Sequence, residues 1–193
     1  MDKQEARRIV RERLLKVARP DSRFHFNFGE YITDFEGSDV ATRNLIGMDI
    51  YQQAKTIFIT PDNSVEQLKA QAIRDGKTVL TTTYGIYRGF LRLTREDVPP
   101  GMEDYAVLLD LIERFGHYVT LAEIRDQYQI DLMVTGGMAV SKEGVRFGKG
   151  HGFFDLEWAM LYSIGAASAA TPMIAFVHDC QIVDFYLEPT IYD

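Results

Sequence analysis

One cysteine, Cys180, stands among 193 residues, so no intrachain disulfide can form, and a chain of this length builds a core without one. That scarcity suits a reducing compartment, and the expected location is cytoplasmic. Long apolar runs are missing as well: nothing approaches the roughly 18–20 residues that span a bilayer, so no membrane partner is expected. The N-terminal MDKQEARRIVRERL is charged and has no apolar centre, which argues against a secretory signal there. Positive charge is in the minority, with 21 Lys and Arg against 28 Asp and Glu and a formal net charge of −7. Nucleic-acid binding through bulk electrostatics is therefore not expected, and an anionic ligand must meet a local cluster of cations. No His, Cys and carboxylate set has zinc spacing, and no Ser-His-Asp pattern points to a nucleophile. What is present is ordinary for a folded chain, 46% hydrophobic and 25% charged residues, and predicts a single domain over residues 1–193.

Hydrophobic periodicity gives the organisation. Ala6, Ile9, Val10, Leu14 and Val17 recur at helical spacing over residues 1–19, and Pro20 ends the segment. Lys3, Arg7 and Arg11 follow one another every four residues and form a basic row beside that stripe, which for an isolated helix reads as a solvated edge. Ser38 is placed to cap a second helix. Residues 54–60, 77–83, 130–136, 172–177 and 181–186 read as strands, with a short further one at 89–93. Between them lie a helix opened by a Ser64-x-x-Gln67 capping box and ended at Gly76, another over 120–128, and a third from 153 to 164. Strands alternating with helices predict an α/β fold of three layers, α/β/α, around a mostly parallel sheet spanning 54–186.

The chemistry concentrates in GVRFGKGHGFFD, residues 144–155. The run fails the P-loop pattern, because Gly144 to Gly148 is one residue short and Gly150 follows Lys149 where Ser or Thr is required. It also fails the dinucleotide fingerprint, since Gly152 comes one residue early. The alternation Gly148, Gly150, Gly152 remains, a backbone able to turn several N–H groups toward one anion ahead of a helix N-terminus. Arg146, Lys149 and His151 add charge. Asp155, in the first helical turn, suits either a metal bridging phosphate oxygens or a carboxylate stabilising a helix start. Spacing alone leaves both an anion cradle and a tight structural turn open. His178, Asp179 and Gln181 in VHDCQ sit at the end of an expected strand, where they face a ligand or fix a loop through a His-Asp hydrogen bond. Trp158 and Met160 are expected in the core, and Cys180 as a small buried residue. No role falls to His25 or His117.

The segment DLMVTGGMAVSKEGVRFGKGHGFFD resembles the signature of the 5-formyltetrahydrofolate cyclo-ligase (methenyltetrahydrofolate synthetase) family, in which a strand leads to a G-x-R-x-G-x-G-x-G-Tyr-Tyr-Asp run. The likeness is greater still to the branch of methenyltetrahydrofolate synthetase domain-containing proteins, through KQEAR, YQQAKTIFITPD, GKGHGFFDLEWAM and TPMIAFVHDCQIVD, in that order along nearly the whole chain. The resemblance implies a Rossmann-like sheet of the cyclo-ligase type and a reaction that uses ATP and Mg²⁺. ATP phosphorylates the formyl oxygen of 5-formyltetrahydrofolate, a folate nitrogen attacks the activated carbon, and 5,10-methenyltetrahydrofolate forms as phosphate leaves. On that resemblance Lys3, Arg7, Arg146, Gly148, Lys149, Gly150, His151 and Gly152 hold the nucleotide. Asp155 is associated with the metal, Arg146 and Lys149 act at the reacting groups, and Asp62, Phe153 and Phe154 meet the substrate. Two departures fall on the folate side. Phe153-Phe154 replaces Tyr-Tyr, and TPDNSVEQ replaces a Glu-x-x-Thr segment. They leave a second reading, a non-catalytic nucleotide-binding module of regulatory or assembly role.

Overall fold

The computed structural model describes residues 3–189. The first helix, α1 (Lys3–Leu14), buries Ala6, Arg7, Val10 and Leu14 along one stripe. α2 (Ser38–Ile46) and α3 (Asp49–Gln53) lead into β1 (Thr56–Ile59). α4 (Glu66–Arg74) returns the chain, and β2 (Thr78–Thr82) runs parallel to β1. β3 (Phe90–Leu93) turns back antiparallel to β2. The short helices α5 (Glu103–Ala106) and α6 (Ile112–Phe115) precede β4 (His117–Val119), antiparallel to β3. α7 (Leu121–Gln127) then delivers β5 (Leu132–Gly136) to the other side of β1, again parallel. β6 (Ala139–Ser141) and β7 (Arg146–Phe147) form an antiparallel hairpin ahead of α8 (Phe153–Ser163). β8 (Met173–Phe176) adds parallel to β5, and β9 (Ile182–Val183) adds parallel to β6. The large sheet has the order β4-β3-β2-β1-β5-β8 and the small one β7-β6-β9.

Period-two alternation makes the layers. β1 is buried along its whole length, as a central parallel strand with both faces covered must be. Its Ile57 and Ile59 join Val79, Leu91, Leu93, Leu132 and Val134 on one face, packed with Leu45, Leu68 and Ile73 of α2 and α4. Phe58 points the other way and joins Leu80, Phe90 and Met133 under Ile124 of α7 and Leu161 of α8. The result is the expected α/β/α arrangement. A third apolar cluster seats α1 on the small sheet through Ala6, Val10, Leu14, Ala139, Phe147 and Val183.

Several local expectations are corrected. Ser38 is the first helical residue, and the cap position belongs to Gly37 in the left-handed conformation at φ 87°. The Ser64 capping box does not form. A 3₁₀ turn, Asn63–Val65, intervenes before α4, and the buried Ser64 hydroxyl has no partner. The capping box sits instead at Thr120, whose side chain and that of Glu123 satisfy each other's backbone N–H groups. The expected strand over 181–186 shrinks to β9 and belongs to the small sheet. Among the described residues no helix is long and apolar enough to cross a membrane.

Candidate functional site

β2 and β5 flank β1 on opposite sides and run parallel to it, so the carboxyl ends of these three strands lie together at one edge of the sheet, where α/β folds open a crevice. Thr60 and Asp62 follow β1, Thr82 and Tyr84 come at the end of β2, and Thr135 is the last residue but one of β5. All of them line a cavity of about 630 Å³, part of it open to solvent. Tyr31, Tyr84, Phe153 and Phe154 supply aromatic walls, and Arg146, Lys149, His151 and Gly152 close it from the glycine loop.

The end of β5 is a glycine for a steric reason. A Cβ on Gly136 would lie 2.6 Å from Ile32 Cγ2 and 2.9 Å from both Asp62 Oδ2 and Ser64 Oγ. That close approach is used, because Gly136 N–H donates to Asp62 Oδ2 at 3.0 Å, and the Thr60 hydroxyl donates to the same oxygen at 2.5 Å. Arg146 Nε donates to the Gly136 carbonyl at 2.7 Å while its guanidinium lies 5.0 Å from the Phe154 ring centre. Asp62 and Arg146 thus grip the two polar groups of one glycine, which fixes them on neighbouring walls. Lys149 Nζ donates to the Glu30 carbonyl at 2.6 Å and lies over the Tyr84 and Phe153 rings at 5.1 and 5.6 Å. Burial lowers its pKa. The Tyr84 hydroxyl donates to the same carbonyl at 2.9 Å, so loop, β2 end and Glu30 meet over the cavity.

Sequence reasoning missed Glu157. α8 carries Phe153, Phe154 and Glu157 toward the cavity, Glu157 one turn beyond Phe153. It is 2% exposed, and the Thr82 hydroxyl donates to its Oε1. Burial pushes its carboxyl up to about 8; the Thr82 hydrogen bond pulls the other way, the Asp62 charge raises it further, and Arg146 and Lys149 lower it. Lys69, also missed, is 1% exposed and donates to the Thr60 carbonyl at 3.2 Å. Burial lowers its pKa.

The basic row of α1 does reach the glycine loop, outside the cavity lining. Arg7 is buried, its Nε donates to the Gly148 carbonyl at 3.0 Å, and a Cβ on Gly150 would lie 3.5 Å from its Cζ. Lys3 Nζ lies 5.1 Å from the Phe147 ring centre. Gly150 and Gly152, at φ 109° and 68°, adopt backbone conformations that side chains disfavour. Arg11 is not at a solvated edge, because its Nε is buried without a hydrogen-bond partner. Asp155 occupies the first turn of α8 but does not line the cavity. Among the described residues no three His, Cys, Asp or Glu side chains gather as a metal site.

VHDCQ serves the fold. His178 Nδ1 accepts from Cys180 N–H at 3.0 Å rather than bonding Asp179. Gln181 Nε2 donates to the Gly137 and Met138 carbonyls at 2.6 and 3.2 Å, pinning the chain beyond β5. Cys180 is half-buried, and burial pushes its thiol up.

The model of the 5-formyltetrahydrofolate cyclo-ligase family matches residues 1–187. Methenyltetrahydrofolate synthase domain-containing proteins of Homo sapiens and Bos taurus are each 34% identical over 155 residues, covering 79% of this chain and 40% of their own. The one from Danio rerio is 30% identical over 156 residues, with the same shares. The chain therefore spans about two-fifths of the length of these relatives.

Proposed function

This chain belongs to the 5-formyltetrahydrofolate cyclo-ligase family, and we propose that it performs the family's chemistry, closing 5-formyltetrahydrofolate or a related N-formyl compound to the 5,10-methenyl product with ATP and Mg²⁺. The observation that carries this reading is the convergence of two surfaces on one loop. On one side, aromatic rings and the Asp62 carboxylate form a slot suited to a flat heterocycle with a polar edge. On the other, Gly148 and Gly150 lie against the Arg7 guanidinium, and the N-terminus of α8 has no side-chain cap. Backbone N–H groups, a helix start and cations are the donors a polyphosphate requires. The residues therefore fit a nucleotide. One or two carboxylates beside phosphate oxygens and water would hold Mg²⁺, so a cluster of three is not required, and Asp155 would supply the carboxylate.

In this reading Lys3, Arg7, Gly148, Gly150, His151 and Gly152 hold the phosphates. Arg146 and Lys149, between the two surfaces, neutralise charge as the phosphoryl group moves, work that is positioning and electrostatics with no protein nucleophile. Phe153 and Phe154 stack on the heterocycle. Purified protein given ATP, Mg²⁺ and 5-formyltetrahydrofolate should develop the near-ultraviolet absorbance of the methenyl product; none at high protein concentration sinks the enzymatic reading. A second reading, a nucleotide-binding module that has lost cyclisation, draws support from Arg146 and Lys149 being tied to backbone carbonyls and from the missing hydroxyls at Phe153 and Phe154. In that case ATP raises the melting temperature and the folate adds nothing.

A further inference from the structure

The turn that joins β2 to β3 carries a residue its geometry disfavours. Gly85 and Ile86 both have positive φ, at 61° and 58°, and Tyr87 N–H donates to the Tyr84 carbonyl at 3.3 Å. Two successive left-handed residues at the centre of such a turn are ordinarily Gly, Asn or Asp. Gly85 obeys that rule and Ile86 does not, because a β-branched side chain in this region is a steric outlier. The backbone is held there from several sides. Ile86 N–H donates to the Thr83 carbonyl at 2.9 Å, Gly89 N–H to the Ile86 carbonyl at 3.1 Å, and Thr83 N–H to the Gly89 carbonyl at 3.0 Å. Arg88 N–H donates to the Thr83 hydroxyl at 2.9 Å. The apolar core does not account for the isoleucine, since its side chain joins none of the three clusters. It is half-buried and lines the cavity instead. Ile32, in the same lining, is 5% exposed and packs over Gly136, which leaves Ile86 and Leu109 as the branched aliphatic side chains open to a ligand. Strain that persists because its surroundings over-determine it is characteristic of ligand sites.

We propose that Ile86 is a specificity-determining contact: the strained turn holds its branched aliphatic side chain in the cavity, where it packs on the face of the bound ring. The inference rests on the reading of the cavity as a heterocycle site and deepens it, giving the turn after β2 a part in fitting the ring. The hydrogen bonds fix the backbone and β-branching stiffens the side chain, so the contact is in place before the ligand arrives and little freedom is lost on binding. A residue kept for a ligand and not for the fold separates stability from affinity when it is replaced.

The test uses the full chain as wild type, Ile86→Asn and Ile86→Val, with melting followed by circular dichroism and binding by calorimetry. The probes are 5-formyltetrahydrofolate and anilinonaphthalene sulfonate, a flat aromatic anion that asks only for an apolar slot. Asparagine accepts the left-handed backbone and removes the aliphatic contact. Ile86→Asn should therefore melt at or above wild type, yet bind both probes at least about tenfold more weakly. Valine keeps the strain and most of the contact, so Ile86→Val should stay within about fivefold of wild-type affinity and melt no higher. An Ile86→Asn protein that melts clearly below wild type, or does not fold, makes the side chain a part of the fold and overturns the proposal. Undiminished affinity of Ile86→Asn for both probes overturns it as well, as does a loss in Ile86→Val as deep as in Ile86→Asn. So does a wild type that binds neither probe. Sulfonate binding that Ile86→Asn weakens, in a wild type that does not bind 5-formyltetrahydrofolate, sinks the cyclo-ligase reading and leaves this one standing. Turnover of 5-formyltetrahydrofolate with undiminished affinity in Ile86→Asn does the reverse.

Discussion

Replacing Glu157 by glutamine should make the protein more stable, increasingly so as the pH rises. The carboxyl is 2% exposed and is pushed from an ordinary 4.5 up to about 8, burial being the largest cause. Below pH 4.5 the folded and unfolded chains both hold the proton, and the group makes no pH-dependent difference. Between 4.5 and 8 the folded chain keeps a proton that the unfolded chain has released, so stability falls as pH rises through this window and levels off above it. Each pH unit is worth about 1.4 kcal/mol, which sets a limit of about 5 kcal/mol across the window and about 3 kcal/mol at neutral pH. Water entering the open side of the cavity reduces these figures. Glutamine has the same shape, still accepts from Thr82 and is neutral at every pH. The difference between variant and wild type should therefore be small near pH 5 and grow to roughly 2–4 kcal/mol in favour of the variant by pH 8.5. Glu66, which burial pushes up to about 7, bends both curves alike and cancels in the comparison. Urea unfolding of both proteins at half-unit pH steps measures this difference directly. A constant gap, or one that shrinks as pH rises, refutes the argument that Glu157 is a buried neutral acid.

Gly136→Ala should cost about 2–4 kcal/mol in urea unfolding, because its methyl meets Ile32, Asp62 and Ser64 at once. Arg7→Met should weaken ATP·Mg²⁺ binding at least about tenfold by calorimetry while leaving 5-formyltetrahydrofolate affinity nearly unchanged, since Arg7 backs the loop and does not line the cavity. Lys149→Ala, by contrast, should impair both ligands, because Lys149 lines the cavity and ties the loop to Glu30. Gln181→Leu removes the donor to the Gly137 and Met138 carbonyls and should lower stability by about 1–3 kcal/mol with no change in ligand affinity per folded molecule.

The parts of the fold that were legible in the sequence are those whose signal is local. TIFI in β1 and LMVTG in β5 are apolar runs bounded by polar turns, and the alternation within them separates Ile57 and Ile59 from Phe58 before any partner is known. The illegible parts owe their structure to distant partners. β4 is three residues with Tyr118 exposed, and only pairing with β3 makes it a strand. β6 and β7 are three and two residues long, and β6 depends on β9, some forty positions later. Ser64 shows the same effect in reverse. Its spacing to Gln67 satisfies the rule for a capping box, but the tight packing over Gly136 claims the residue first.

The site divides along the same line. Glycine alternation marked the loop, yet spacing alone could not separate a cradle from a turn; the contact that supports the cradle, Arg7 on the Gly148 carbonyl, bridges 141 positions. Glu157 gave no sign, because α8 carries two acidic residues, Asp155 and Glu157, among apolar ones and nothing local tells them apart. Only the Thr82 hydroxyl, 75 positions earlier on β2, does so. The loop joins these two halves physically. Gly148, Lys149 and Gly152 line the cavity, while Gly148 through its carbonyl and Gly150 through its bare Cα rest on Arg7. Alternate glycines are what let so short a segment face both ways.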